Sequence, residues 1–278
     1  RLADNREIVS GLLGLLADSD EEVRASAAQA IGELGPALAD NRGVVSGLLA
    51  DSNWRVRASA VKVIGKLPVL ADKPEFVSSL VKLLADSDEW VREHAAEAIG
   101  KLGSALAGNS EVVSGLLVAL ANEDEWVKGR AVYAIGKLGP VLAASPAIVS
   151  GLVRLLADSN EGVRHSAAVV IGNWGAALAD NPTFASGLLG LLTDSKSDVR
   201  ESAVKAIEQM GSRLVDNREF VSGLVKLLAD SKRQARDSAA DAIGELDSVL
   251  ADNPAIVSGL LGLLANSKIQ VRDRVASV

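Results

Sequence analysis

Cysteine is absent, histidine occurs twice and methionine once in 278 residues. The first absence excludes a disulfide framework, a thiol nucleophile and any Cys-ligated zinc or iron–sulfur site. Two histidines leave little for a multi-His metal centre. Aromatics are scarce as well, with four Trp, three Phe and one Tyr, although 48% of residues are apolar. A large core is therefore expected, built from Leu, Ala, Val and Ile. A net charge of −7 disfavours a nucleic-acid binder or a polybasic membrane anchor. No apolar run approaches the roughly 18 to 20 residues of a membrane span, and no signal-peptide pattern opens the chain. A soluble chain is expected, and its compartment is not legible.

What is abundant is repetition. Val9-Ser10-Gly11-Leu12-Leu13 returns at Val45, Val77, Val113, Val149, Ala185, Val221 and Val257, with one step of 32 residues among steps of 36. Val23-Arg24 returns at Val56, Val91, Val127, Val163, Val199, Ala235 and Val271, each followed by Arg or Lys. Eight repeats tile one domain, with approximate bounds 5–40, 41–72, 73–108, 109–144, 145–180, 181–216, 217–252 and an incomplete 253–278. The first and last repeats are of interior type, not polar caps, so a window from a longer array, or ends that pack on something else, is expected.

Each repeat carries two helical patterns. In the first, Val9, Leu12, Leu13 and Leu16 form one apolar stripe. Asn5, Asn41, Asn109, Asn181, Asn217 and Asn253 stand at the N-cap, and Pro74, Pro146, Pro182 and Pro254 at the first helical position. In the second, Val23, Ala27, Ala30, Ile31 and Leu34 form the stripe. Ser19 and Glu22 have capping-box spacing, and Gly35-Pro36 stops or kinks the helix. The link Ala37 to Asp40 reads as a turn or a single helical turn. With no β-period stretch, the fold class is all-α: a right-handed α-solenoid of about eight stacked antiparallel helix pairs. Repeat 2 has lost three residues from its first helix, which turns that helix's face by roughly 60°; an irregularity is expected at residues 45–53.

These residues resemble the HEAT-repeat family, closer to its short two-helix form than to the three-helix armadillo form, over essentially the whole chain. The most specific match is an acidic residue six positions before a basic one: Asp18/Arg24, Asp51/Arg57, Asp86/Arg92, Asp158/Arg164, Asp194/Arg200 and Asp230/Arg236, softened to Asn122/Lys128 and Asn266/Arg272. The resemblance implies a hydrogen-bonded ladder along the turns, a structural role that suits the planar Arg fork. Recurrent mid-helix glycines such as Gly11 and Gly32 read as places where helices approach closely, not as a phosphate loop, because no strand precedes them.

The resemblance also implies that second helices line a concave face. Recognition then falls to exposed positions that vary between repeats. Along the second helices these put Trp90, Glu93, Glu97, Trp126, Arg130, Tyr133 and His165 into one candidate partner-binding patch spanning repeats 3 to 5, with His94 beside it and Trp54 nearby but one position out of line. The alternative is that each Trp merely lids its own turn. Trp174 occupies a Leu/Met slot and reads as core. The reading is a non-catalytic protein- or peptide-binding scaffold, with a basic or mixed-charge peptide suggested by the acids beside Trp90 and Trp126. No catalytic, cofactor or metal residue is assigned, and neither nucleic acid nor membrane is expected as a partner. His94 and His165 lack the His-Glu dipeptides of HEAT-like di-iron hydroxylases. The alternative function is a small-ligand or bilin-type chromophore-handling HEAT-like enzyme using the same aromatic patch.

Overall fold

A computed structural model of the chain describes residues 11–12, 14–16, 18–34, 42–67, 73–178, 182–246, 253–266 and 272. Among them no strand occurs. The chain forms two compact units, Arg1–Leu142 and Ala143–Val278. The N-terminal unit contains α1 (Glu21–Leu34), α2 (Arg42–Leu49), α3 (Trp54–Ile64), α4 (Pro74–Leu83), α5 (Glu89–Leu102), the short α6 (Ser104–Ala107), α7 (Ser110–Leu120) and α8 (Glu125–Leu138). The C-terminal unit contains α9 (Pro146–Leu155), α10 (Glu161–Trp174), α11 (Pro182–Leu191), α12 (Ser197–Met210), the short α13 (Ser212–Val215), α14 (Arg218–Leu228), α15 (Arg233–Glu245) and α16 (Pro254–Asn266).

Each unit is a two-layer stack of helix pairs, the all-α solenoid arrangement. In the N-terminal unit the second helices α1, α3, α5 and α8 pack side by side in that order, α2, α4 and α7 form the other layer, and each of these packs on the second helix of its own repeat. The C-terminal unit repeats this with α10, α12 and α15 in one layer and α9, α11, α14 and α16 in the other. The second-helix layer can be tight because its buried stripe is made of small residues: Ala60 and Val61 with Ile64, Ala95 and Ala96 with Ile99, Ala131 and Val132 with Ile135. The first-helix layer takes the bulk. Phe76, Val112, Ile148, Phe184, Phe220 and Ile256 share one slot at successive repeats, and all are buried.

Several sequence expectations lie in the turns. Asn109, Asn217 and Asn253 cap first helices as expected, each accepting from backbone N–H groups two or three residues on; Asn5, Asn41 and Asn181 lie outside the described residues. The second helices are capped one residue later than the Ser19 spacing suggests. Asp20, Asn53, Asp88 and Asp124 each accept from the backbone N–H two residues on, and Asn160 accepts from the Val163 N–H three residues on. The cause is the residue before: Asp18 accepts from the Asp20 N–H, so the chain closes an Asx turn before the helix begins. At the far ends Gly103, Gly139 and Gly211 take positive φ, where a side chain would be strained. The link at 37–40 lies outside the described residues, but its equivalents α6, Pro140–Ala144, Gly175–Ala177 and α13 are single helical turns. In repeat 2 both helices are short: α2 spans 8 residues where α4 spans 10 and α7 spans 11, and α3 spans 11 where α5 and α8 span 14.

The acidic–basic pair works differently from a simple six-residue ion pair. Arg57 donates through Nη1 to the backbone carbonyls of Asp51 and Ser52, and its Nε and Nη2 grip the carboxylate of Asp86 in the next repeat at 2.8 and 2.7 Å. Arg24 makes the same three-way connection to Asp51, and Arg164 to Asp194. Each rung therefore ties one turn to the next. At Arg92 the next residue in line is Asn122, whose amide oxygen already accepts from the Asp124 N–H. An amide has no second acceptor oxygen, and Arg92 Nε is buried without a hydrogen-bond partner.

Glycines in the first helices do mark close approach, with the preceding repeat as the neighbour. A Cβ at Gly187 would come to 2.5 Å from Leu156, one at Gly259 to 2.6 Å from Val225, and those at Gly115 and Gly223 would collide with Val81 and Leu189. Gly11 and Gly47 meet nothing within 4 Å. In the second-helix layer Gly172 lies against the α12 backbone, its Cβ position 2.8 Å from Ala206 Cα.

Four outcomes are expected. Asn122→Asp supplies the missing carboxylate and should raise stability by about 1 kcal/mol, read as a higher urea midpoint. Gly172→Ala should lower stability by about 1 to 3 kcal/mol through overpacking, whereas Gly129→Ala, mid-helix with nothing within 4 Å, should raise it by about 0.5 to 1 kcal/mol through helix propensity. Burial alone pushes the Asp51, Asp86 and Asp194 carboxyls up, but the turn N–H groups and Arg forks outweigh it and hold all three below the ordinary Asp value. Their stabilisation is fully present above the unfolded pKa and is lost as pH falls through the lower native value. The urea midpoint should drop as pH is taken from about 5 to about 3, and drop less in Asp86→Asn.

Candidate functional site

The aromatic side chains divide cleanly. Phe76, Phe184, Phe220 and Trp174 are buried, the last as its Leu/Met slot requires, whereas Trp54, Trp90, Trp126 and Tyr133 are exposed by 37%, 50%, 56% and 42%. All four exposed rings lie on second helices of the N-terminal unit. Their positions follow from the caps: Trp54 is the first residue of α3, and Trp90 and Trp126 are the second residues of α5 and α8. Asp88 and Asp124 accept from the backbone N–H groups of Trp90 and Trp126 at 2.9 and 2.8 Å, which fixes where each indole leaves the helix. Neither of these indoles is tucked beneath a neighbouring helix.

The charged members of the patch are paired with one another. Arg130 on α8 reaches Glu93 on α5 at 3.3 Å. Glu97 binds Lys101 at 2.8 Å, and that contact holds its carboxyl below the usual range against the opposing effect of burial. Lys137 stands over the Tyr133 ring with its ammonium 5.4 Å from the centroid, a cation–π distance. His94 packs beside Trp90, with ring centroids 6.4 Å apart. Its Nδ1 lies 3.5 Å from Glu97 but is not aligned for a hydrogen bond. Burial first and the nearby Lys62 second push the His94 pKa below its ordinary value, so the ring is mostly neutral at pH 7. His165 belongs to the C-terminal unit. Its Nδ1 is 2.6 Å from Ser202 Oγ, and Ser202 in turn donates to the Asp198 carbonyl, so this histidine ties α10 to α12.

The sequence pattern did not show a groove between α1, α3 and α5. Its volume is about 540 Å³, and it is open to solvent, not enclosed. It is lined by Trp54 and Trp90, by the small Ala25 and Ala58, and by the polar side chains of Gln29, Ser26, Ser59, Lys62 and His94. Arg55 lies across the Trp54 ring at 5.4 Å and reaches Glu22 at 3.1 Å. Trp54 looks one position out of register along the chain, yet as the first helical residue it projects toward the same groove as Trp90. The usable signal was an aromatic at the first or second helical residue after an N-cap in three consecutive repeats. Among the described residues no group of three or more acidic or His side chains is gathered as for a metal ion, and no helix is long and apolar enough to cross a membrane.

Comparison with known families decides the class. Models described as HEAT repeats match residues 41–109, 113–208 and 149–244, and one described as HEAT repeat matches 8–38. The chain belongs to the HEAT-repeat family. No curated protein matches it. Among solved structures, this HEAT-repeat chain is similar to two engineered proteins known from crystal structures. One is 24% identical with a TM-score of 0.47, covering 87% of this chain and 97% of its own; the other is 20% identical with a TM-score of 0.46, covering 86% and 98%. The HEAT-repeat scaffold is a fold typical of protein interaction.

Proposed function

We propose that this HEAT-repeat chain is a non-catalytic scaffold that holds a protein or peptide against the outward side of the α1, α3, α5 and α8 layer, the face that the family's arrays turn inward as a concave surface. The observation that carries this reading is the exposure of Trp54, Trp90, Trp126 and Tyr133 in a chain that buries its other aromatics. Exposed indoles cost the isolated molecule apolar hydration, and large amphipathic rings held on rigid helices are what protein interfaces use as anchors. The ion pairs Glu93–Arg130 and Glu97–Lys101 brace the helices beneath the rings and make a polar rim around them. His165 is already committed to Ser202, and the proposed anchor set is therefore Trp54, Trp90, Trp126 and Tyr133.

Because about half of Trp90 and of Trp126 is open to solvent, their removal should separate binding from folding. Trp90→Ala combined with Trp126→Ala is expected to weaken partner capture by at least about 30-fold, the size of one lost hot spot, and to leave the helical circular dichroism and the urea midpoint near their parent values. Unchanged capture, or unfolding of the array, would show the rings to be scaffolding.

A further inference from the structure

We propose that the groove between α1, α3 and α5 receives an acidic peptide segment carrying one large apolar side chain. This rests on the scaffold reading above and names the chemistry of its partner. The charge argument comes from which groups are already satisfied. Within the groove lining the one acid, Glu22, is paired with Arg55, and farther along the layer Glu93 is paired with Arg130 and Glu97 with Lys101; Glu89, next to Trp90, is exposed but does not line the groove. The charge left over in the lining is cationic. Lys62, lining the groove, and Lys66, just beyond the end of α3, are exposed and make no ion pair among the described residues. A chain of net charge −7 thus presents an unpaired positive charge at this groove, which is the complement of an acidic segment.

The shape argument is independent of the charges. Trp54 and Trp90, on the neighbouring helices α3 and α5, line the groove together with the small Ala58 on α3 and Ala25 on α1. A volume of about 540 Å³ accommodates one bulky side chain and a short length of backbone. Ser26, Gln29 and Ser59 along the edges offer donors and acceptors to that backbone. An open groove suits a chain passing through it better than an enclosed small molecule. Single-stranded nucleic acid also combines negative charge with flat apolar groups, but it needs a basic track along its backbone, and Lys62 and Lys66 are too few for that in an acidic protein.

The test uses the full chain and a synthetic peptide of Asp, Glu, Gly and Ser around one central Phe. Controls replace the acids by Lys, or the Phe by Ala, and an oligothymidylate is run alongside. Binding is followed by nuclear magnetic resonance of the indole N–H signals. The acidic Phe peptide should shift Trp54 and Trp90 and leave the buried Trp174 in place, with affinity falling as salt is raised. Lys62→Glu should weaken it about tenfold and Lys62→Ala by less; both positions are exposed, and circular dichroism checks that each variant keeps its helices. Equal or tighter binding of the Lys peptide or of the oligothymidylate overturns the proposal, as does an affinity that neither Lys62 variant changes. If the acidic peptide fails while Trp90→Ala with Trp126→Ala still abolishes capture of a natural partner, this assignment falls and the scaffold reading stands.

Discussion

A single guanidinium spanning two turns is the interaction on which the rest of this architecture depends. One nitrogen of each such Arg holds the carbonyls of its own turn, while the other two hold the carboxylate of the next repeat. That carboxylate in turn receives an N–H of its own turn, so Asp86 is at once the end of one rung and the organiser of the following loop. Where a rung is made, the loop that receives it starts its second helix at a set place, and Trp90 inherits its position from this. Trp126 follows a turn that closes through Asn122 and Asp124 alone. The rungs are partly buried, where a charge-assisted pair is screened less than at the surface and a lost partner costs more.

The period, the helix pairing and the helix boundaries were legible because each rests on local chemistry: apolar spacing, an Asn or Pro at a helix start, a Gly at its end. The connections between repeats were not. With an Asp and an Arg in nearly every repeat, the chain alone cannot say which carboxylate a given guanidinium takes, and the nearer one in sequence turned out to be engaged with its own loop. The second-helix cap was misplaced by one residue for a similar reason, since Ser19, Asp18 and Asp20 can all accept an N–H and only the backbone path chooses among them.

At the candidate site, the varying stripe led to Trp90, Trp126 and Tyr133 because their environment is set by their own helix. Pairings such as Arg130 with Glu93, 37 positions apart, were hidden, and with them the sign of the charge left over. Trp54 shows the same limit from another side. Its step out of the pattern is real in sequence and of little consequence in space, because a residue at the very start of a helix is not confined to the stripe that interior positions define.

The fit between first helices carries a consequence for how such a chain can change. Gly115, Gly187, Gly223 and Gly259 each accept an aliphatic side chain from the repeat before, so repeats 6 and 7 each have a protruding edge on one side, at Leu189 and Val225, and a receiving notch on the other, at Gly187 and Gly223. The array therefore has a direction. A gene duplication that copies a whole module preserves both edges and inserts without strain, whereas recombination inside a first helix would part the notch from its knob. The lineage of such a protein is thus steered toward growth and loss in whole modules, with novelty confined to the residues that neither edge uses.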